Sequence, residues 1–520
     1  TDALPDDAKF RWTCETAWAV REYMKRRPAG QIERLKQRVR EGRVEVAGML
    51  LNMSEIATES SLAASLEPLE WLRRDFGPVR TALQNDVNGA AWCLADYLSG
   101  LGVRYLSMGI NRTRSILPFD KPTVFWWESP SGQRLLAYRS DHYMTANFWR
   151  LEQGRLERIL LEVEHYLLSL QARNYPFDRV GVQFSGYFTD NSPPSTSACD
   201  VVKEWNERYA SPRLRLSTAQ EFLAWVEEQH GPNLPVFRVA WPDWWTDGFG
   251  SAARETAAAR ETDSSIQASQ ALIAKAALLG VPISRGALDR IADVQDNLFF
   301  YAEHTYGAAE SIDDPLAENT QVQWGEKASY VWEAVKEAGL LREEAFGLLQ
   351  DRLPRSDVPM LAVFNTLNWT RSGLVLVFID HQILQHENEF RIVDLDSREA
   401  VPAQQVSSRA EGAWWALWVK DVPSFGYKVL RIEVGKDKSP SSTPPSGDLY
   451  SIENGWYKLA ADPDRGALTS WLDKESGQEL VDSKAAWALG QFVYETLPSG
   501  RDMKPEAFRR SSVRNVKFQT

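Results

Sequence analysis

The chain has 520 residues, of which 43% are hydrophobic and 25% are charged, and its formal net charge is −12. This length predicts three or four domains, because a single core rarely grows beyond about 250–300 residues. The acidic balance excludes nucleic acid as an expected partner, because phosphate recognition needs a basic surface. No apolar run is long enough to span a bilayer, and the opening segment TDALPDDAKF lacks the basic and apolar regions of a signal peptide.

The cysteine and tryptophan content further limits the class of protein to which the chain can belong. Cys14, Cys93 and Cys199 stand far apart and form no CxxC pattern, which argues against a disulfide scaffold or a thiolate zinc site and favours a reducing cytoplasm. The chain also has 21 tryptophans. An indole face matches the C–H face of a pyranose ring, so tryptophan often lines sugar sites, although core packing is the commoner role for any single one.

Strand-like and helical patterns alternate along the first 240 residues. The predicted strands lie at 9–14, 79–86, 103–110, 122–128, 134–140 and 178–188. The predicted helices include one that ends at Gly77 and others at 89–102, 155–174, 199–210 and 218–230. This alternation predicts parallel βαβ units, either in an open doubly wound sheet or in a barrel. In both layouts the active site lies at the carboxyl ends of the strands.

The pattern changes twice in the rest of the chain. Helical periodicity at 264–280, 286–304 and 319–339 predicts a three-helix bundle. Strands follow at 360–369, 373–380, 389–395, 414–420 and 427–434, then a Pro/Ser/Gly-rich linker at 435–449 and further hairpins. The predicted domains are therefore 1–250, 251–352, 353–440 and 441–520.

Two aspartates follow predicted strands of the βα region. Asp86, in LQNDVNGAAW, stands where a carboxylate acts as a nucleophile, a base or a metal ligand, but an aspartate there can also simply cap the next helix. Asp190, in FSGYFTDNSPPS, lies in a loop stiffened by Pro193 and Pro194. A rigid loop of this kind can hold a proton donor in a fixed position, but the same residues are also typical of an ordinary turn.

Two further segments carry polar chemistry. In the segment WPDWWTDGFG, the carboxylates of Asp243 and Asp247 flank the indoles of Trp244 and Trp245. This combination is typical of a sugar site, and it also occurs in packed interdomain loops. His304, in YAEHTYGAAES, ends a predicted helix and is a packing residue, a general base or a metal ligand. The residues alone thus predict an enzyme built on a βα domain, with a cleft rich in carboxylates and tryptophan.

A set of segments in a fixed order resembles glycoside hydrolase family 38, the retaining α-mannosidases, and its bacterial-type members in particular. The segments are LQNDVNGAAW…YLSGLGVRYLSMGINRTRS, EHTYGAAES, FNTLNWTRS…VPAQQV…VPSFGYKVLRIEV and IENGWYKLAADPDRGALTSWLDKESGQELVD. The resemblance implies a multidomain chain of mixed α/β, α and β parts. These are an incomplete (β/α)7 barrel, a three-helix middle domain and C-terminal β-sandwich domains of which the last is cut partway. It also implies one divalent cation, usually Zn²⁺, and a double-displacement mechanism.

The resemblance assigns roles to individual residues. Asp86 matches the nucleophile, which is also a metal ligand, and Asp190 falls where the acid/base carboxylate is expected. Their carboxyl groups are then expected to lie about 5–5.5 Å apart, the spacing of a retaining enzyme. His304 matches a second metal ligand. The residues implied to bind the substrate are Arg112, Asp141, Tyr143, Trp244, Trp245 and Asp247.

The chain departs from the family pattern in two places. The first barrel strand of the family ends in a His-x-Asp pair that supplies two further metal ligands, and none of the six histidines here is followed two residues later by an aspartate. We therefore expect that the first βα unit is missing and that the chain is a fragment. The common His-His-Asp around the helical ligand reads Glu303-His304-Thr305 here, which leaves the sugar preference open.

The leading hypothesis is a metal-dependent retaining α-mannosidase of the cytoplasm that hydrolyses an α-mannoside oligosaccharide or glycan. One alternative is a catalytically inactive relative that binds carbohydrate or serves as a scaffold. Another is a related barrel hydrolase that acts on a different α-linked sugar. The hypothesis involves neither nucleic acid nor a membrane, and the sequence leaves both a monomer and a homo-oligomer open.

Overall fold

The computed structural model describes residues 1–111, 119–241, 245–307, 309–385, 388–435, 450–496, 507–514 and 516. The chain forms two compact units. The first comprises Thr1–Gln270, Pro282–Ser311 and Leu316–Ala345, and the second comprises Ala271–Val281, Ile312–Pro315 and Phe346–Thr520. Within the described ranges no helix has both the length and the apolar character needed to cross a membrane. The boundaries of the four predicted domains stay predictions.

The strands of the first unit are short and mostly parallel. They are β1 (Trp12–Cys14), β2 (Val44–Val46), β3 (Thr81–Leu83), β4 (Tyr105–Ile110), β5 (Thr123–Glu128), β6 (Arg134–His142) and β7 (Val236–Phe237). A five-stranded sheet has the order β3-β4-β6-β5-β7, and β1 pairs with β2 separately. Strands β3, β4 and β6 are parallel, which confirms the predicted βαβ units, whereas β5 is antiparallel to β6. The barrel itself stays a prediction.

The helices include all those predicted, but the helix Ala253–Leu278 begins well before and the helix Glu318–Gln350 ends well after the predicted positions. They are α1 (Ala17–Arg26), α2 (Ala29–Arg40), α3 (Glu59–Ala64), α4 (Pro68–Phe76), α5 (Cys93–Gly100), α6 (Thr145–Phe148), α7 (Leu156–Ala172), α8 (Ser197–Arg208), α9 (Ala219–His230), α10 (Ala253–Leu278), α11 (Arg285–Ala302) and α12 (Glu318–Gln350). Short 3₁₀ helices lie at Asp6–Ala8, Leu151–Gln153, Gly231–Asn233, Trp245–Ala252 and Ala309–Ser311. The three long helices predicted after residue 251 are α10, α11 and α12.

One core supports the parallel strands from the side of α4 and α5. Leu69 and Leu72 of α4 and Leu94 and Leu98 of α5 are at most 1% exposed, as is Leu106 of β4. The helical spacing of these leucines places them on one face of each helix, and burying each stabilises the fold by about 1.5–3 kcal/mol. This packing fixes the positions of β3 and β4, and therefore of the residues that follow them.

The predicted strand at 178–188 is wrong, since this segment forms no strand. Its backbone groups bond instead to residues of β6 and the chain that follows it. The Tyr138 hydroxyl donates to the Gly181 carbonyl at 2.7 Å, and the Asn147 side chain accepts from Ser185 N–H at 2.9 Å and donates to the Gly186 carbonyl at 3.0 Å. These contacts take the place of the hydrogen-bond ladder that a neighbouring strand would supply.

The second unit is built from antiparallel strands. They are β8 (Met360–Phe364), β9 (Arg371–Asp380), β10 (Phe390–Asp394), β11 (Ala400–Val401), β12 (Ala403–Arg409), β13 (Gly412–Val422), β14 (Tyr427–Val434), β15 (Ser451–Glu453), β16 (Tyr457–Asp462), β17 (Ala467–Asp473), β18 (Val493–Thr496) and β19 (Arg509–Ser512). The sheets β11-β10-β14-β8 and β12-β13-β9 share one apolar core that includes Ile392, Leu417 and Leu430. The sequence predicts neither β11 nor β12. Most of the predicted linker, 436–449, lies outside the described residues.

Candidate active site

Asp86 follows β3 and is fixed by the backbone of β4. Its N–H donates to the Gly109 carbonyl at 2.8 Å, and its φ of 70° lies in the left-handed region, which is costly for a residue other than glycine. Next to it, Asn85 Oδ1 accepts a hydrogen bond from Gly109 N–H at 2.8 Å. The pairing of β3 with β4 therefore holds Asp86 in a backbone conformation that it would not adopt alone.

Several donors converge on the Asp86 carboxylate. Asn111 Nδ2 donates to Oδ1 at 2.6 Å, and His304 Nε2 lies 3.0 Å from Oδ2. Asn111 is itself held by Asn88, which accepts from the Asn111 N–H at 2.9 Å. Burial opposes ionisation of Asp86, but the hydrogen bonds from His304, Asn111 and Tyr143 and the charge of His304 outweigh it and lower the pKa of this carboxyl. Asp86 is therefore an anion.

The imidazole of His304 lies between two carboxylates. Its Nε2 faces Asp86, and its Nδ1 lies 2.5 Å from Glu303 Oε1. Burial favours the neutral ring, but the hydrogen bonds to Asp86 and Glu303 outweigh it and raise the pKa of His304 to about 10. In this arrangement His304 is an imidazolium that donates to both neighbours.

The backbone that carries His304 is anchored at the end of α11. The His304 N–H donates to the Asn52 carbonyl at 2.8 Å, and Ser54 N–H donates to the Ala302 carbonyl at 3.0 Å. Lys327 of α12 donates to the carbonyls of Phe300 and Glu303 at 2.7 and 2.8 Å. A cation is favourable at the C-terminus of a helix, where carbonyls have no helical partner. These contacts bring a residue of α11 to the end of β3.

Tyr143 connects Asp190 to this cluster. Its hydroxyl donates to Asp190 Oδ2 at 3.0 Å, and its side chain lines the same cleft as Asp86. Burial, reinforced by the charges of Asp86 and Asp190, raises the pKa of Tyr143 well above its ordinary value, so the phenol stays a donor. The Ser185 hydroxyl bonds to the Tyr143 carbonyl at 2.7 Å and thereby fixes the backbone beside it.

Not every predicted site residue lies beside Asp86 and His304 in the structure. Asp141 is 4% exposed and accepts from the Tyr166 hydroxyl at 2.9 Å. Trp245 is buried and donates to Thr305 Oγ1 at 3.2 Å, whereas Asp247 is exposed and accepts from Gly248 N–H. None of these three residues lines the cleft described below. Arg112, Asp243 and Trp244 lie outside the described residues.

Sequence reasoning missed Asn111, Asn52 and Lys327. For Asn111 a signal existed, because it follows β4 as Asp86 follows β3, and neighbouring parallel strands end at the same edge of a sheet. Asn52 and Lys327 are far from the site in sequence and have no local pattern that points to it.

Asp86, Tyr143, Asp190, Glu303 and His304 line one cleft of the first unit, with a volume of about 1660 Å³. This volume exceeds the 300–1,000 Å³ of a typical pocket for a drug-sized ligand. The cleft also reaches the aromatic side chains of Trp12, Trp149 and Trp225. It therefore has room for an oligosaccharide and places ionised groups along one wall.

The residues present do not complete a metal centre. Among the described residues, no group of three or more histidine, cysteine, aspartate or glutamate side chains is arranged to hold a metal ion. Asp86 and Glu303 approach opposite nitrogens of the His304 ring, so the three side chains do not converge on one point. Asp86 and His304 supply two donors, and a divalent cation in a protein needs more.

Residues 3–240 match the model of the glycosyl hydrolases family 38 N-terminal domain. This part of the chain therefore belongs to glycoside hydrolase family 38. Asp86, Asn111, Tyr143 and Asp190 lie inside the matched range, whereas Glu303, His304 and Lys327 lie outside it. The comparison with curated proteins returned no match.

Two solved structures are similar to the chain. An α-mannosidase from Enterococcus faecalis V583 is 16% identical with a TM-score of 0.68, over 92% of this chain and 57% of that one. A protein in glycosyl hydrolase family 38 from Enterococcus faecalis is 14% identical with a TM-score of 0.60, over 92% of this chain and 55% of that one. This likeness shows a shared mixed α/β fold, and this chain spans 57% and 55% of the length of the two structures.

Gly109 offers a test of the packing behind the site. A Cβ at this position would lie 2.5 Å from Asn85 Oδ1 and 2.7 Å from Tyr143 Cβ. We expect Gly109→Ala to destabilise the protein by about 1–3 kcal/mol, the typical cost of overpacking, seen as a lower thermal midpoint. Gly30→Ala is the matched control, because a Cβ there meets nothing within 4 Å and alanine favours a helix. Equal midpoints for the two variants would contradict this account of the site.

Proposed function

We propose that the protein hydrolyses α-mannosidic bonds with retention of configuration, through a covalent glycosyl-enzyme intermediate. The observation that carries the proposal is that Asp86 and Asp190 line one cleft of the first unit, in a family 38 domain, together with Tyr143, whose hydroxyl donates to Asp190 Oδ2 at 3.0 Å. A retaining enzyme places its two carboxyl groups about 5–5.5 Å apart and an inverting one about 6.5–9.5 Å apart, so the proposal expects the shorter spacing between Asp86 and Asp190.

In the first step Asp86 acts as the nucleophile. A carboxylate oxygen of Asp86 forms a bond to the anomeric carbon, while the bond from that carbon to the leaving oxygen breaks. Asp190 transfers its proton to the leaving oxygen. Each Asp86 oxygen accepts one hydrogen bond, from Asn111 or from His304, and keeps a lone pair for the attack.

In the second step Asp190, now a carboxylate, takes a proton from water. The water oxygen attacks the anomeric carbon, the ester bond to Asp86 breaks, and both carboxyl groups return to their first state. His304 and Asn111 orient Asp86 and stabilise the negative charge that returns to it. No step is assigned to the Zn²⁺ or other divalent cation that the resemblance implies, because the described residues do not complete its site.

The substrate and stereochemistry are tested together. We expect the protein to hydrolyse an aryl α-mannoside, and ¹H NMR of the earliest product to show α-mannose, because two displacements restore the starting configuration. A panel of aryl α-glycosides serves as the comparison. β-Mannose as the first product would contradict the retaining mechanism, and turnover of another α-glycoside alone would contradict the mannoside assignment. Sugar binding without turnover of any glycoside would instead support an inactive carbohydrate-binding relative.

The nucleophile is tested by removing its charge. Asp86→Asn keeps the shape of the side chain, and we expect kcat on the aryl α-mannoside to fall at least about 100-fold because no covalent intermediate can form. Asp200→Asn is the control, since Asp200 is exposed on α8. Activity of Asp86→Asn above a hundredth of the wild-type value would show that another group makes the attack.

The acid/base residue is tested by chemical rescue. Asp190→Ala should retain kcat/KM on a dinitrophenyl α-mannoside, whose leaving group needs no protonation, while kcat/KM on a phenyl α-mannoside should fall about 100-fold or more. Added azide, which needs no general base, should speed turnover of the variant and yield α-mannosyl azide. Equal losses on both substrates with no azide product would place the acid/base role elsewhere.

A further inference from the structure

A further carboxylate, that of Glu15, lies in the cleft at the end of a strand. Glu15 follows β1 as Asp86 follows β3, and it lines the cleft together with Asp86, Asn52 and Asn85. Residues that follow the parallel strands of a βα domain meet at one edge, where such domains bind their substrates. The double displacement proposed above leaves Glu15 without a role.

The backbone next to Glu15 is fixed relative to β3 by the segment that follows β2. Ala47 N–H donates to the Cys14 carbonyl at 3.1 Å, and Gly48 N–H donates to the Thr81 carbonyl at 2.9 Å. This segment therefore lies between β1 and β3. Because neighbouring strands are about 4.8 Å apart, β1 and β3 are about 10 Å apart. One sugar ring with a contact on each side would fill such a gap.

Asn52 connects Glu15 to the backbone next to Asp86. Its Nδ2 donates to Glu15 Oε1 at 2.6 Å, and its Oδ1 accepts a hydrogen bond from Asn85 N–H at 3.1 Å. Its carbonyl accepts from His304 N–H at 2.8 Å. Asn52 is buried, so one rigid side chain holds the Glu15 carboxylate at a fixed position relative to the candidate site.

The Glu15 carboxylate has acceptor capacity that the protein does not use. In the part of the chain that the structure describes, Asn52 is the one hydrogen-bond donor to it. A carboxylate has about four lone-pair directions, so most of them are open to donors from a ligand. By contrast, Glu221, which also lines the cleft, pairs with Arg11 at 3.1 Å.

Capping of α1 does not explain this carboxylate. Thr16 is the N-cap of α1, and Ala17 N–H, the first of the helix, donates to the Met49 carbonyl at 2.8 Å. This backbone bond satisfies a helix donor that an acidic side chain would otherwise serve. The Glu15 side chain bonds instead to Asn52, in the cleft.

We infer that Glu15 is a substrate-binding residue whose open lone pairs accept a hydrogen bond from a hydroxyl of the mannosyl unit that Asp86 attacks. This inference rests on the proposed function. A carboxylate accepts such a bond about twice as strongly as a neutral oxygen does. Asn52 positions Glu15 for this contact, and Glu15 takes no part in breaking or forming the glycosidic bond.

A contact of this kind selects among sugars. A site that hydrogen-bonds a substrate hydroxyl rejects the analogue that lacks this hydroxyl, because the polar group of the protein is then left unpaired. If Glu15 acted only through Asn52 on the backbone of the site, its removal would slow all substrates equally. A direct contact predicts instead that the effect of removing Glu15 depends on one particular hydroxyl of the sugar.

The test combines Glu15→Ala with phenyl α-mannoside and its monodeoxy analogues, each of which lacks one hydroxyl. We expect kcat/KM on the mannoside to fall about 10- to 100-fold, the loss of a hydrogen bond to a charged group. On the analogue that lacks the contacted hydroxyl the same substitution should cost less than about twofold. Glu15→Gln, which keeps the length of the side chain, should show the same dependence with a smaller loss.

Glu33→Ala is the matched control, because Glu33 lies on α2 with 65% of its side chain exposed, and its kcat/KM values should equal those of the wild type. Each comparison is a ratio of two substrates on one protein preparation, so a partly unfolded variant does not distort it. Where a variant turns over too slowly, calorimetric binding of mannose and its monodeoxy analogues supplies the same ratios.

Two outcomes would overturn the inference and leave the proposed function standing. Equal losses for Glu15→Ala on the mannoside and on all of its monodeoxy analogues would restrict Glu15 to the support of Asn52. Losses no larger than those of Glu33→Ala would remove any role of Glu15 in the site. Wild-type protein that hydrolyses no α-mannoside overturns the proposed function itself, and the inference with it.

Discussion

The hydrogen-bonded ion pair between Asp86 and His304 is the contact on which the site depends, because it joins residues 218 positions apart in the chain. Asp86 comes from the end of β3 and His304 from the end of α11. A buried ion pair stabilises a protein only if its desolvation cost is offset by good geometry and further hydrogen bonds. Both partners have these: Asn111 on Asp86, and Glu303 on the second nitrogen of His304.

The charges around this pair balance. Asp86 and Glu303 are anions, His304 is a cation, and the Lys327 ammonium lies 3.6 Å from Glu303 Oε2. Burial lowers the pKa of Lys327, and the charge of Glu303 opposes that shift. Buried charges are tolerated when they are paired and hydrogen-bonded. Lys327 therefore has two effects on the site. Its charge offsets that of Glu303, and its hydrogen bonds to the carbonyls of Phe300 and Glu303 fix the backbone next to His304.

Local chemistry explains which parts could be predicted from the sequence. The end of α4 was predictable because Gly77 adopts a positive φ of 87° and its N–H caps the Arg73 carbonyl, which depends only on neighbouring residues. The strand at 178–188 was not, because an extended pattern does not reveal whether a neighbouring strand is available to pair. For Asp141 and Tyr143 the period of a strand predicts one shared face, but β6 ends at His142, and of the two residues Tyr143 lines the cleft while Asp141 does not.

The division of donors between the two aspartates argues for their roles. Asp86 has Asn111 and His304 as hydrogen-bonding partners, which suits the carboxylate that must be an anion before substrate arrives and after product leaves. Asp190 lies on a half-exposed loop with Tyr143 beside it, which suits a carboxyl that exchanges its proton with a leaving group and with water. If the roles were reversed, the residue that needs to hold a proton would be the one surrounded by donors. The hydrogen bonds from Asn111 and His304 are thus consistent with Asp86 as the proposed nucleophile.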